Sequence, residues 1–202
     1  MIVCGLVSTS GSRSPYEAAA SLSDCDQILL EDDKGNGQAW VRNKLASHAP
    51  SGSIVRYCDD DDVAMSTRRA AERLAETNAD VLAFSFISGS TRVRVPEDAL
   101  AAAVDSVGPW SWVARVEALR RVPWDPRRTS CTGTWQWLAM MDAGLKFAFA
   151  PDIWGYHWAP NPSGVTSRRW GNEDLFAELE TRIRASGRLE LLAALERRKA
   201  RR

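Results

Sequence analysis

The chain has 202 residues, enough for one domain with a core of its own, or for one domain with an appendage. An apolar share of 45% and nine tryptophans argue against a disordered chain, and 26 basic side chains balanced by 26 acidic ones make no charge case for a nucleic-acid or membrane protein. Four cysteines without a CxxC spacing, three in or beside apolar runs, fit a reducing cytoplasm better than a disulfide scaffold or a zinc site.

Ile2 to Val7 is an apolar run ended by Ser8-Thr9-Ser10-Gly11-Ser12, as expected of a strand buried on both faces. It has no basic leader and is too short to span a bilayer, as is every later run. A short helix is expected over 15–22, with Ser14 as cap and Pro15 at its first position. A second strand over 26–31 precedes the turn chemistry of Asp32-Asp33-Lys34-Gly35-Asn36-Gly37. The pattern then predicts a helix over 38–48, stopped by Pro50 and Gly52. A third strand over 53–58 runs straight into Asp59-Asp60-Asp61-Asp62. A helix over 66–77 has Ala70, Leu74 and Ala75 on its apolar face, and a fourth strand covers 81–87. Such alternation predicts a mostly parallel, doubly wound α/β sheet whose ligands gather at the strand C-termini.

The second half is less regular. Residues 93–108 suggest a loop and a short helix; further helices are expected over 115–121 and over 135–143, the latter capped by Gly144. Leu145 to Ala150 reads as a strand stopped by Pro151, followed by an aromatic stretch over 153–158 and a loop over 161–164. Asn172 is expected to cap a helical tail to Arg202, broken near Ser186-Gly187. The expected organisation is one α/β domain over 1–160 with a loop and helical tail over 161–202.

The strongest chemical signal is the aspartate run. A strand that delivers Asp59 and Asp61 places both carboxylates on one side as the chain leaves the sheet. Hard cations such as Mg²⁺ and Mn²⁺ take carboxylate oxygens and leave positions for a diphosphate. With four aspartates in a row, Asp60 and Asp62 form the alternative pair, and a solvated acidic turn is the alternative to any site.

The segments Asp26 to Gly35, Val41 to Ala46 and Ile54 to Asp62 together resemble the family 2 glycosyltransferases of the GT-A type. Those enzymes have a second strand ending in an Asp pair, a helix with Arg-Asn (here Arg42-Asn43) near its middle, and a third strand ending in Asp-x-Asp. Val113 to Leu119 and Trp135 to Pro151 resemble the family's later helix, glycine and strand, so the likeness runs from about Met1 to about Trp158. It implies a GT-A-like fold and transfer of a sugar from a nucleotide-sugar donor, a UDP-sugar favoured, to a hydroxyl acceptor on a glycan, a protein or a modified DNA base. It also implies roles. Ser8 and Thr9 border the nucleotide, Asp32 accepts from the base, Arg42 holds the nucleotide side, and Asp59 lies near the ribose or a metal-bound water. Asp61 coordinates Mg²⁺ or Mn²⁺, and His157 completes the metal shell, since a neutral imidazole is a good ligand. The alternative for His157 is a place in an aromatic core cluster.

One departure stands out. The family carries an acidic pair just before the helix matched by 135–143, where a carboxylate takes the acceptor's proton. Here the stretch is Ser130-Cys131-Thr132-Gly133-Thr134, without an acid. A general base needs a carboxylate or histidine within hydrogen-bond reach of the hydroxyl. Asp105, Asp125 and Asp142 are the substitutes on offer. Three rival functions follow: a sugar nucleotidyltransferase, a catalytically inactive nucleotide-sugar-binding module, and a DNA-modifying glycosyltransferase acting on hydroxymethylated bases. The paired arginines 68–69, 120–121, 127–128 and 168–169, interleaved with tryptophans, suit the last.

Overall fold

The computed structural model describes residues 1–9, 14–88, 91–105, 108–128, 131–158 and 173–200; the side chains of Ser88, Pro109 and 156–158 lie outside that description. The strands are β1 (Val3–Thr9), β2 (Gln27–Asp32), β3 (Ile54–Asp59), β4 (Asp62–Ala64), β5 (Val81–Ser88), β6 (Thr91–Val93), β7 (Trp112–Arg115) and β8 (Phe147–Trp158). The helices are α1 (Tyr16–Ser21), α2 (Gln38–His48), α3 (Thr67–Ala75), α4 (Ala99–Val104), α5 (Val116–Arg121), α6 (Thr132–Asp142), α7 (Glu173–Ser186) and α8 (Leu191–Ala200).

All eight strands join one sheet in the order β2-β1-β3-β7-β5-β8-β4, with β6 hydrogen-bonded to β5. β1 pairs in parallel with β2 and β3, and β5 with β8, while β7 runs antiparallel between β3 and β5. Five strands therefore point one way, and β4, β6 and β7 oppose them, which makes the sheet mixed but mostly parallel. β3 lies inside the sheet with its aspartates at the C-terminal end, as expected.

Side chains alternate across β3. Val55 and Tyr57 join the larger core, built with α2, α4, α5, α6 and the C-terminal helices. Ile54 and Cys58 face α3 and α1 on the other side. Leu175, Leu179, Ile183 and Leu195 are fully buried in the larger core, so α7 and α8 pack into it. No helix among the described residues is long and apolar enough to cross a membrane.

Several expectations need correction. Pro151 does not stop a strand, because β8 runs from Phe147 to Trp158 through a bulge. Phe84 is in register with Ala150 but Ser85 with Trp154, so Pro151 to Ile153 loop out where a residue lacking N–H costs the ladder nothing. Ser85 Oγ, 2.9 Å from the Pro151 carbonyl, ties the bulge down. Beyond it Gly155 lies against Phe84, where a Cβ would come within 2.5 Å of the ring. Trp112 to Arg115 form a strand before the expected helix, α6 starts three residues earlier than expected, and α1 has Pro15 rather than Ser14 at its cap. Asn172 and the loop 161–164 lie outside the described residues.

The start of β1 is pinned by Asp26, whose carboxylate accepts from Val3 N–H at 2.8 Å and from Arg68 at 2.6 Å. The Arg68 hydrogen bond first, then that backbone N–H, hold the acid below its ordinary pKa. A depressed carboxyl pKa contributes stability above its unfolded value, near about pH 4, and loses it as pH falls through the folded one. Asp26→Asn should therefore lower the urea midpoint at neutral pH, with the gap to wild type closing in acid. A gap that persists unchanged in strong acid would refute the linkage.

Candidate functional site

β1, β2 and β3 end level. Ser8 is in register with Glu31 on one side and Asp59 on the other, and Thr9 with Asp32. Asp60 and Asp61 make the two-residue turn from β3 to β4, and Asp62 opens β4 in register with Trp158. Parallel pairing thus brings Ser8, Thr9, Asp32, Asp59, Asp60 and Asp61 to one rim of the sheet.

Asp59 is the hub. Ser8 Oγ donates to its Oδ1 at 2.6 Å, and Arg42 Nη2 donates to both oxygens at 2.9 and 2.8 Å. Beside it, Thr9 Oγ1 donates to Asp60 Oδ2 at 2.9 Å. Asp32 Oδ1 accepts the Lys34 N–H at 2.8 Å, which shapes the turn after β2.

Arg42 is 1% exposed. α2 carries it on the apolar stripe that includes Ala39, Leu45 and Ala46, so the helical period buries the guanidinium. Inside, the guanidinium lies 4.5 Å from the Trp124 ring, and Nη1 donates to Thr132 Oγ1 at 3.1 Å in the first turn of α6. The Tyr57 hydroxyl donates to the Arg42 carbonyl at 2.9 Å, and its ring meets Trp124 edge-on at 5.5 Å. Burial pushes the Tyr57 phenol up, which keeps it a neutral donor. A cation this deep is tolerable because a carboxylate, a hydroxyl and an aromatic face share it. Arg42 therefore spends its charge on Asp59 within the protein. Trp124 is one of the tryptophans expected in the core, whereas nothing in the sequence singles out Thr132 or Tyr57; the one available signal is an arginine at an apolar position of the α2 period.

Among the described residues no three His, Cys, Asp or Glu side chains converge as a ready cation cage. Mg²⁺ is commonly held by only one or two carboxylates plus substrate phosphates, so the hard carboxylate of Asp61, in the turn at the rim, fits such an ion without a cage. The backbone of His157 lies in β8 in register with Val63 and Ile87, and its imidazole lies outside the described residues. Burial first, then the Asp62 charge, push the pKa of the Cys58 thiol, next to the run, up to about 12.

The substitute bases are engaged elsewhere. Arg127 takes both oxygens of Asp125, and Arg182 takes both of Asp142 at 2.7 and 2.8 Å, at the far end of α6. Those arginines hold both carboxyls below their ordinary range, which weakens them as bases. Asp105 follows the last turn of α4. Arg128 stacks 3.8 Å over the Trp135 ring on α6, a cationic and aromatic surface three residues after Asp125. A shallow recess lined by Phe86, Val95, Pro96, Ala102 and Asp105 lies between β5, β6 and α4, and none of residues 59–62 lines it.

The architecture is similar to that of S. aureus TarS 1–349 in complex with UDP-GlcNAc, at 15% identity and a TM-score of 0.67, over 89% of this chain and 64% of that one. It is also similar to TarS 1–349 in complex with UDP, at 18% identity and a TM-score of 0.61, over 80% and 61%. A third similar structure is S. aureus TarS itself, at 15% identity and a TM-score of 0.61, over 80% and 37%. The chain thus spans less than two thirds of the length of each. No family model matches the sequence, and no curated protein does. The likeness is one of fold, and it bears out the GT-A-like sheet expected from the sequence.

Proposed function

We propose that the chain is a metal-dependent glycosyltransferase that moves a sugar from a nucleotide-sugar donor, a UDP-sugar favoured, to a hydroxyl acceptor. The observation that supports this reading is the gathering of Ser8, Thr9, Asp32 and Asp59 to Asp61 at one strand rim, on a fold shared with a protein solved with UDP and UDP-GlcNAc. Asp32 takes the base, with one oxygen already set by Lys34 N–H. Arg42 and Ser8 fix Asp59 so that its orientation costs nothing when the ribose side of a donor arrives. Thr9 orients Asp60 in the same way. A Mg²⁺ or Mn²⁺ at Asp61, with His157 as a further ligand, would supply charge neutralisation to the leaving diphosphate.

The first turn of α6 favours a second reading. Thr132, Gly133 and Thr134 hold no acid, and Asp125 and Asp142 are committed to arginines, which suits a nucleotide-sugar-binding module without turnover. The acceptor is a glycan, a protein or a hydroxymethylated DNA base, and four cysteines without a CxxC spacing suit a cytoplasmic setting.

A thermal-shift panel of UDP-, GDP-, CMP- and dTDP-sugars with and without Mn²⁺ tests the donor. A ligand at a hundredfold excess over its Kd stabilises by about 2.7 kcal/mol, worth roughly 5–10 °C for a chain of this size. The expected result is a UDP-sugar shift that grows with Mn²⁺. No shift with any nucleotide sugar would sink the reading. Donor hydrolysis then separates the active enzyme from the binding module, and transfer to hydroxymethylated DNA separates a DNA-modifying enzyme from one that acts on a glycan or a protein.

A further inference from the structure

The first turn of α6 is held from two sides by buried arginines. On one side, Arg42 reaches Thr132 Oγ1. On the other, Arg198 of α8, only 7% exposed, sends Nη2 to Thr134 Oγ1 at 3.2 Å. Nη1 of Arg198 donates to the carbonyls of Ala103 at 2.6 Å and Val104 at 3.1 Å. These are the last carbonyls of α4, which a helix cannot satisfy from within, so the guanidinium completes α4 as it grips α6. Phe176 of α7 lies 5.8 Å from the guanidinium carbon, and Leu179 and Leu195 lock both C-terminal helices into the core. Arg198 thus bridges the end of α4 and the start of α6.

We propose that Arg198 is a positioning residue for the donor site. It fixes Thr134, and with it the turn whose Thr132 holds Arg42 against Asp59. The chain of contacts is continuous: Arg198 to Thr134, then Thr132 two residues earlier, Arg42, Asp59 and Ser8. Gly133, between the two threonines, is itself buried, so the turn has packed surroundings and moves as a unit. A loosened first turn of α6 releases one of Arg42's hydrogen-bond partners and lets the Arg42–Asp59 pair shift away from the rim. This inference rests on the donor reading above.

The test compares three variants of the full chain. Arg198→Met removes the guanidinium; Thr134→Val removes only the last link and leaves the α4 carbonyls satisfied. Arg182→Met breaks a partly exposed ion pair between α7 and Asp142 at the opposite end of α6, and serves as the structural control. UDP binding is measured by calorimetry on protein matched for folded fraction. Arg198→Met and Thr134→Val should weaken UDP about tenfold, within the usual range of coupling between sites, while Arg182→Met binds as wild type. Equal UDP affinity in all four proteins, or an equal loss in Arg182→Met, overturns the proposal. Should wild type bind no UDP at all, it is the donor reading that fails, and amide exchange still decides the clamp. Faster exchange over 59–62 in Arg198→Met and Thr134→Val, but not in Arg182→Met, supports it, and unchanged exchange there overturns it.

Discussion

Asp61→Asn is expected to abolish Mn²⁺-dependent donor binding and to cut turnover by orders of magnitude, while leaving the fold intact. The substitution keeps the shape of the side chain and removes one anionic ligand, so the leaving diphosphate loses an electrostatic partner. Stability should change little, because the substitution keeps the shape of the side chain and relieves repulsion from the adjoining carboxylates of Asp60 and Asp62. Asp60→Asn is the register control. Its carboxylate already accepts from Thr9, so its loss should disturb β1 more than metal binding. Asp62 is a poorer control, being 5% exposed at the start of β4. If Asp60→Asn abolishes the metal effect and Asp61→Asn does not, Asp60 and Asp62 are the pair. If both keep it, the run is a solvated acidic turn.

Arg42→Met should be the most damaging substitution for stability. Removing one partner of a buried ion pair typically costs about 3–5 kcal/mol, because the remaining charge is left without compensation. Asp59, with 15% of its side chain exposed, recovers some hydration, which places the cost toward the lower end. Even so, this is a large part of the 5–15 kcal/mol that a domain has. Arg42→Met with Asp59→Leu should recover part of the loss, since neither charge then remains. Chemical unfolding of the two singles and the double gives the coupling energy. A single-variant cost under about 1 kcal/mol, the range of a surface pair, would mean that the Arg42–Asp59 contact is solvated rather than structural. Donor binding should fail in Arg42→Met even where the chain stays folded, because Asp59 loses the group that orients it.

Much of this was legible in the chain because local chemistry and the fold agree. α2 has the bounds expected of it, since Gly37 and Pro50 bracket an uninterrupted helical run. The aspartates stand at the rim because an apolar strand ending in charge must leave the sheet there. β7 was illegible because four residues between a 3-10 turn and a helix leave no room for a period of two to show. α6 begins early because Thr132 and Thr134 find partners in two arginines distant in sequence, which no local pattern reports. Arg42 stood out in the chain through its Arg-Asn pair, but not as a buried residue. Its burial depends on Trp124, Tyr57 and Thr132 arriving from three other elements.

The bulge in β8 fixes a length rather than a composition. Ala150 and Gly155 both meet Phe84, five residues apart, although a regular strand turns its side chains over at every residue. The extra residues at Pro151 to Ile153 thus reverse the phase of the strand, and Trp154 shares the face of Ser85 because of that count. One residue fewer between Ala150 and Trp154 would turn the rest of β8 inside out, the backbone row that pairs with β4 included. Substitutions in this stretch alter a few contacts, whereas an insertion or deletion rewrites which residues reach the rim. A shortened or lengthened relative would need a compensating change in β5 to keep the same surface.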